Sequence, residues 1–184
     1  MSTENKLDRR MFMKLGGMVS ATALLPESLL ALDDKQIFEK SLSFYNLHTG
    51  ETLRSTYWVD GDYISGSLDE INHILRDHRT NTAMPMNIEL LDLLFDIRNK
   101  LDSKSPYQII SGYRSPKTNN ALRKNSSGVA KKSLHMEGKA IDVNLNKVDL
   151  SVLRKVALHQ KKGGVGFYPA SNFVHIDVGR VRYW

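Results

Sequence analysis

Two short stretches, residues 139–145 (KAIDVNL) and 173–178 (FVHIDV), constrain this chain more than anything else in it, because each alternates between apolar and polar side chains. Successive residues of a strand point to opposite faces, so Ile141, Val143 and Leu145 share one face and Ala140, Asp142 and Asn144 the other. The second stretch does the same, with Val174, Ile176 and Val178 opposite His175 and Asp177. Two such strands, each burying its apolar face, can lie side by side and bring Asp142 and His175 to one spot. His135 stands seven residues before Asp142, and Gly138 between them permits a tight turn that folds it back toward the carboxylate. Two imidazoles and one carboxylate are the donor set of a hydrolytic zinc, which keeps a fourth position open for water. His135, Asp142 and His175 are therefore the candidate metal ligands, with Zn2+ as the expected ion. His48, His73, His78 and His159 lack such a setting and read as solvated or structural.

The rest of the chain reads as an α+β alternation. Residues 41–48 and 51–59, separated by Thr49-Gly50, form an expected hairpin. Ser67 with Glu70 makes a capping box for a helix running to about Arg79. Asn87 caps a second helix whose Ile88, Leu91, Leu94 and Phe95 describe one buried stripe. Residues 107–111 read as a strand. Ser115 caps a helix with Pro116 at its first position, where no donor is lost. Asp149 caps another that contains Leu150, Leu153 and Ala157, and residues 163–168 pair with 173–178 across a turn containing Pro169.

The start of the chain points to export. Residues 8–17, DRRMFMKLGG, hold a twin-arginine pair followed by an apolar stretch from Leu15 to Leu25, interrupted by Pro26. This resembles a Tat signal, too short to form a stable span, with cleavage expected near Ala31 and periplasmic delivery. Residues 32–184 then form one domain. With no cysteine in the chain, a lipid anchor on cysteine and disulfides are excluded. Without residues 1–31 the chain keeps 22 basic and 17 acidic residues, a net of +5. No helix-turn-helix, RNA-binding or zinc-finger signature accompanies that charge, so the expected partner is the anionic cell envelope and not nucleic acid. No Ser-x-x-Lys or Gly-x-Ser-x-Gly element marks a serine enzyme.

The runs SGYRSPKTNNALR, SLHMEGKAIDV and GGVGFYPASNFVHIDVG resemble the M15-type zinc peptidases of the hedgehog/DD-peptidase fold, and within them the Tat-exported YcbK/MepK type of murein endopeptidase. The resemblance implies a small antiparallel sheet with flanking helices, peptidoglycan as substrate, and zinc held by His135, Asp142 and His175. It places Arg114 on an arginine that binds substrate or the developing oxyanion, Ser133 on a loop-shaping position, and Asn119 and Asn120 on structural ones. Many relatives carry an acidic residue three positions before the last histidine; here that position is Asn172, which cannot act as a base. Asp177, on the His175 face, is the candidate catalytic residue in its place, either as general base or as the partner that orients His175. Glu137 is a weaker candidate for both roles. Lys104, Tyr107, Tyr113 and Tyr168 are candidates to line a substrate groove.

The implied reaction is hydrolysis of peptide cross-links, between two diaminopimelate residues and secondarily between D-alanine and diaminopimelate. A carboxypeptidase would instead shorten stems without splitting dimers, and a wall-binding module would leave the muropeptide profile unchanged.

Overall fold

The computed structural model describes residues 37–126 and 128–184. The expected export signal, its arginine pair and the cleavage region at Ala31 lie outside the described residues. Among the described residues no helix is long and apolar enough to cross a membrane.

Among the described residues eight strands form one sheet. They are β1 (Glu39–Asn46), β2 (Thr52–Val59), β3 (Asp62–Tyr63), β4 (Tyr107–Ser111), β5 (Ala140–Leu145), β6 (Gly164–Tyr168), β7 (Phe173–Asp177) and β8 (Arg182–Tyr183), in the order β3-β2-β1-β4-β5-β7-β6-β8. Among the described residues the α-helices are α1 (Ser65–Ile74), α2 (Ile88–Lys100), α3 (Pro116–Asn125) and α4 (Leu150–Gln160). The α+β class is as expected, but the sheet is mixed where a small antiparallel one was anticipated. β1 pairs with β4 in parallel, and so does β6 with β8. The first of these follows from connectivity: α1 and α2 stand between the β1–β2 hairpin and β4, and such a crossover returns the chain in its original direction.

Three of the four expected caps form. Asn87 accepts from the Leu90 amide, Ser115 from Thr118 and Asp149 from Ser151, each satisfying a donor at a helix start that has no partner within the helix. The capping box does not form. The helix begins two residues before Ser67, with Ile64 at the N-cap and no side-chain cap, and Glu70 instead accepts from the Ser55 hydroxyl. α1 also stops at Ile74 and not near Arg79, because its end is capped from elsewhere in the molecule. Asn46 donates to the Ile74 carbonyl and Tyr113 to that of Leu75, leaving Asp77 free to turn out of the helix.

The core lies where α1, α2 and α4 cover the apolar face of the sheet. Leu90, Leu91, Leu94 and Ile97 of α2 meet Leu42 and Phe44 of β1, Ile141 and Val143 of β5, and Val174 and Ile176 of β7, all buried. β5 departs from simple alternation, for all six of its residues are buried. Its polar face is roofed by the chain that carries the candidate site.

Candidate metal centre

Asp142 and His175 are direct cross-strand neighbours on β5 and β7. Residues directly opposite on paired strands sit close enough for their side chains to touch, and here His175 Nδ1 lies 2.8 Å from Asp142 Oδ1. His135 arrives from a short 3₁₀ turn, Leu134–Glu137. That turn is reversed by Gly138 in the left-handed conformation (φ 65°), where a side chain would also meet the Pro85 carbonyl at 2.5 Å. His135 Nε2 is thereby held 3.3 Å from His175 Nδ1 and 3.3 Å from Asp142 Oδ1. One donor atom from each of the three residues lies within 4.8 Å of the others.

The tautomers follow from what stands behind each ring. His135 Nδ1 is 2.8 Å from the Gly112 carbonyl, an acceptor only, so this nitrogen carries the proton and Nε2 turns a lone pair inward. Gly112 is aimed there by an irregularity in β4. Ile109 pairs with Val143 but Ser111 with Asp142, which leaves Ile110 as a bulge beside the site. His175 Nε2 is 3.0 Å from Asp177 Oδ2 and donates to it, so Nδ1 is the inward atom. Two inward lone pairs and a carboxylate oxygen, each imidazole braced from behind by an oxygen, are what a divalent ion of the zinc type requires.

Asp177 is fully buried and faces away from this group. Its Oδ1 accepts from the amides of Gly164 (3.0 Å) and Gly179 (2.8 Å) and from Arg182 Nη1 (3.1 Å); its Oδ2 accepts from Arg182 Nη2 (2.7 Å) and His175. Burial pushes the Asp177 carboxyl up, but these hydrogen bonds outweigh it and hold the carboxyl well below the usual range. Burial favours the neutral form of Asp142 too, and is overcome by the charge and hydrogen bonds of His135 and His175, so the net shift is downward. For His175, burial works against the cation, yet the hydrogen bonds it donates to Asp142 and Asp177 raise its pKa to about 9, so a metal taking the Nδ1 lone pair would displace a proton.

Arg114 follows the end of β4 and donates its backbone amide to the His135 carbonyl. Its Nη2 is 3.5 Å from Asp142 Oδ2, and its Nε is buried with no partner among the described residues. Burial lowers its pKa, opposed by Asp142. A cleft of about 310 Å³ opens over the group, walled by Arg114, Lys132, Tyr168, Phe173, Arg182 and Trp184. Ser133 lines the same cleft.

Of the groove candidates, Tyr168 is in the cleft wall, stacked on Phe173 with centroids 4.6 Å apart. Tyr107 is core, its hydroxyl donating to the Leu94 carbonyl, and Tyr113 packs against the core. Lys104 is outside the cleft lining. Glu137 is exposed and pairs with Lys139 at 2.9 Å. Asn172 sits in the left-handed conformation, and its carbonyl accepts from Asn144. Asn119 is buried and donates to the Ala130 carbonyl, while Asn120 is exposed. The four remaining histidines stay apart from the group: His48 stacks on His78 (3.9 Å), His73 lies 3.9 Å from Glu51, and His159 Nδ1 donates to the Lys155 carbonyl.

Two residues that shape the site carry no signal in the amino-acid pattern. Arg182 clamps Asp177 through both of its terminal nitrogens. Trp184 tilts over His175 with centroids 5.3 Å apart, its indole N–H donating to Tyr168 at 2.7 Å. Their segment, RVRYW, forms no periodic element, and only the β8 pairing brings it to the site.

Residues 35–184 match the family described as Peptidoglycan L,D-endopeptidase MepK. The chain is 42% identical over 177 residues to the Peptidoglycan L,D-endopeptidase MepK of Escherichia coli (strain K12), covering 96% of this chain and 97% of that protein. The protein of the same name from Shigella flexneri gives the same figures. The Probable peptidoglycan L,D-endopeptidase MepK of Haemophilus influenzae is 36% identical over 178 residues, covering 96% of this chain and 95% of that one.

Proposed function

The chain belongs to the M15-type peptidases of the peptidoglycan L,D-endopeptidase MepK family, and from that premise we propose that it is a zinc-dependent murein endopeptidase hydrolysing peptide cross-links between diaminopimelate residues. The observation that carries the metal reading is the convergence of His135 Nε2, Asp142 and His175 Nδ1 with the outer nitrogen of each imidazole already committed to a backbone or carboxylate oxygen. A zinc ion held by these three would supply a Lewis acid that acidifies water and polarises the scissile carbonyl.

The chain's own groups do the rest. Arg114, cationic and mostly shielded from solvent, offers its guanidinium to the charge that gathers on the carbonyl oxygen. Asp177 acts as a positioning residue: it fixes the His175 tautomer and ring orientation while Arg182 and two backbone amides hold it in place. Tyr168, Phe173 and Trp184 narrow the cleft and seat the stem peptide. The twin arginines at Arg9 and Arg10 support export through the Tat pathway, with residues 1–31 as signal and 32–184 as the periplasmic domain.

The test is digestion of cross-linked sacculi by the purified protein. Monomeric muropeptides should appear, EDTA should abolish their release and added zinc restore it. Release undiminished by chelation overturns the metal reading; shortened stems with intact dimers would point to a carboxypeptidase.

A further inference from the structure

The charges of this chain are unevenly placed. Residues 37–102 carry six Lys and Arg against eleven Asp and Glu, whereas residues 103–184 carry fifteen against four. The sheet order turns this into a separation in space, since β1, β2 and β3 lie at one end of the sheet and β5 to β8 at the other. Of the four acids in the second half, Asp142 and Asp177 are buried at the site and Asp149 caps α4.

The bias is strongest beside the cleft. Between Asp102 and Glu137 there is no acidic residue, and this stretch contains all of α3 and the segment that follows it. α3 begins two residues after Arg114, and Ser126 and Gly128 just past its end line the cleft, so the helix runs from the site to its lip. Lys117, Arg123, Lys124 and Lys131 are exposed along this path, and none makes an ion pair among the described residues, whereas Lys139, Lys162 and Arg76 elsewhere pair with Glu137, Asp96 and Glu51. The buried Asn119 ties α3 to the Ala130 carbonyl at 3.1 Å, which joins helix and following segment into one face. Unpaired like charges gathered on one face repel each other, a cost that a polyanion bound there relieves.

We propose that this α3 face is a docking surface for the polyanionic sacculus, holding free stem-peptide carboxylates of strands beside the pair whose cross-link lies in the cleft. The proposal rests on the murein reading for the identity of the polyanion. Such a surface acts on the assembled wall and not on a single soluble substrate, because a lone muropeptide dimer occupies the cleft without reaching along α3. Its attraction is screened by salt beyond about 8 Å at physiological ionic strength.

The experiment compares the purified protein with a variant carrying Lys117→Gln, Arg123→Gln, Lys124→Gln and Lys131→Gln, by co-sedimentation with sacculi at low and high NaCl. Affinity of the variant for sacculi should fall roughly tenfold at low salt, at a few tenths of a kcal/mol per exposed charge, and the difference should vanish at high salt. Cleavage of a purified soluble dimer should remain within about twofold of the parent. A second variant with Lys117→Arg, Lys124→Arg and Lys131→Arg should bind like the parent, which separates charge from folding. Unchanged sacculus binding in the neutralised variant overturns the proposal. So does a loss confined to vesicles of anionic phospholipid, or a loss of soluble-dimer cleavage equal to the loss of binding. Sacculus binding that depends on these four residues in a protein that cleaves nothing would uphold the surface and refute the enzymatic reading.

Discussion

Replacing Asp177 by asparagine separates the two roles its position allows. Asp177 Oδ1 receives three donors and Oδ2 two. An amide has one oxygen and one NH₂ group, so the NH₂ settles where it opposes fewer donors, at the Oδ2 position facing Arg182 Nη2 and His175 Nε2. An NH₂ facing His175 Nε2 is satisfied only by a lone pair there, which moves the ring proton to Nδ1, the atom 2.8 Å from Asp142 that must be free to bind metal. Binding zinc then requires the ring to return to its former tautomer without its charged acceptor, whose hydrogen bond is worth about 1.5–3 kcal/mol. Changes of this kind behind a ligand lower metal affinity or activity about 10–100-fold. The assay is a zinc titration of Asp177→Asn against a chromophoric chelator, with circular dichroism to confirm folding and muropeptide release to report turnover. The expected result is weakened zinc binding with activity largely recovered at high zinc. A variant that binds zinc as tightly as the parent yet turns over far more slowly refutes the positioning argument and returns Asp177 to the role of base.

Two further predictions bear on neighbouring features. A Cβ on Gly166 would lie 2.7 Å from the Trp184 indole, so Gly166→Ala should displace the indole, which is exposed and has room to move, with little loss of stability, and raise KM more than it lowers kcat; an unchanged KM would refute the seating role of that wall. Asp77 is buried, and although burial raises its carboxyl pKa, hydrogen bonds from Ser115, Thr118 and Arg79 outweigh this and hold it well below the ordinary value. A depressed folded-state pKa gives stability that is complete above the unfolded value of about 3.9 and is lost as pH falls below it. Asp77→Asn should therefore be less stable at pH 7 but lose less on acidification from about pH 5 to pH 3 than the parent, as denaturant titrations in metal-free buffer would show; parallel curves would sink the assignment.

Local signals in the sequence translated well where local physics decides. Asn87, Ser115 and Asp149 cap helices because a short polar side chain beside a helix start needs only its own neighbours. The alternation around Asp142 and His175 sufficed to place them face to face, since register is fixed by the apolar side that each strand turns to the core. What failed to show depends on distant segments. α1 ends early because Asn46 and Tyr113 meet its last carbonyls, and β1 finds β4 only after two helices intervene. Asp177 could be placed on the His175 strand face, with the roles of base and of partner to the ring both open, because its direction is set by Arg182, Gly164 and Gly179. Trp184 reaches the cleft through β8, a two-residue strand with no pattern to detect.

The position of β4 between β1 and β5 bears on when this hydrolase comes into being. One edge of β4 needs β1, more than sixty residues upstream, and its far end supplies the Gly112 carbonyl that fixes His135. Contacts so widely spaced in the chain form slowly and late. A nascent polypeptide that has not yet paired β1 with β4 holds no competent centre, and the capacity to cut arises only with completed folding.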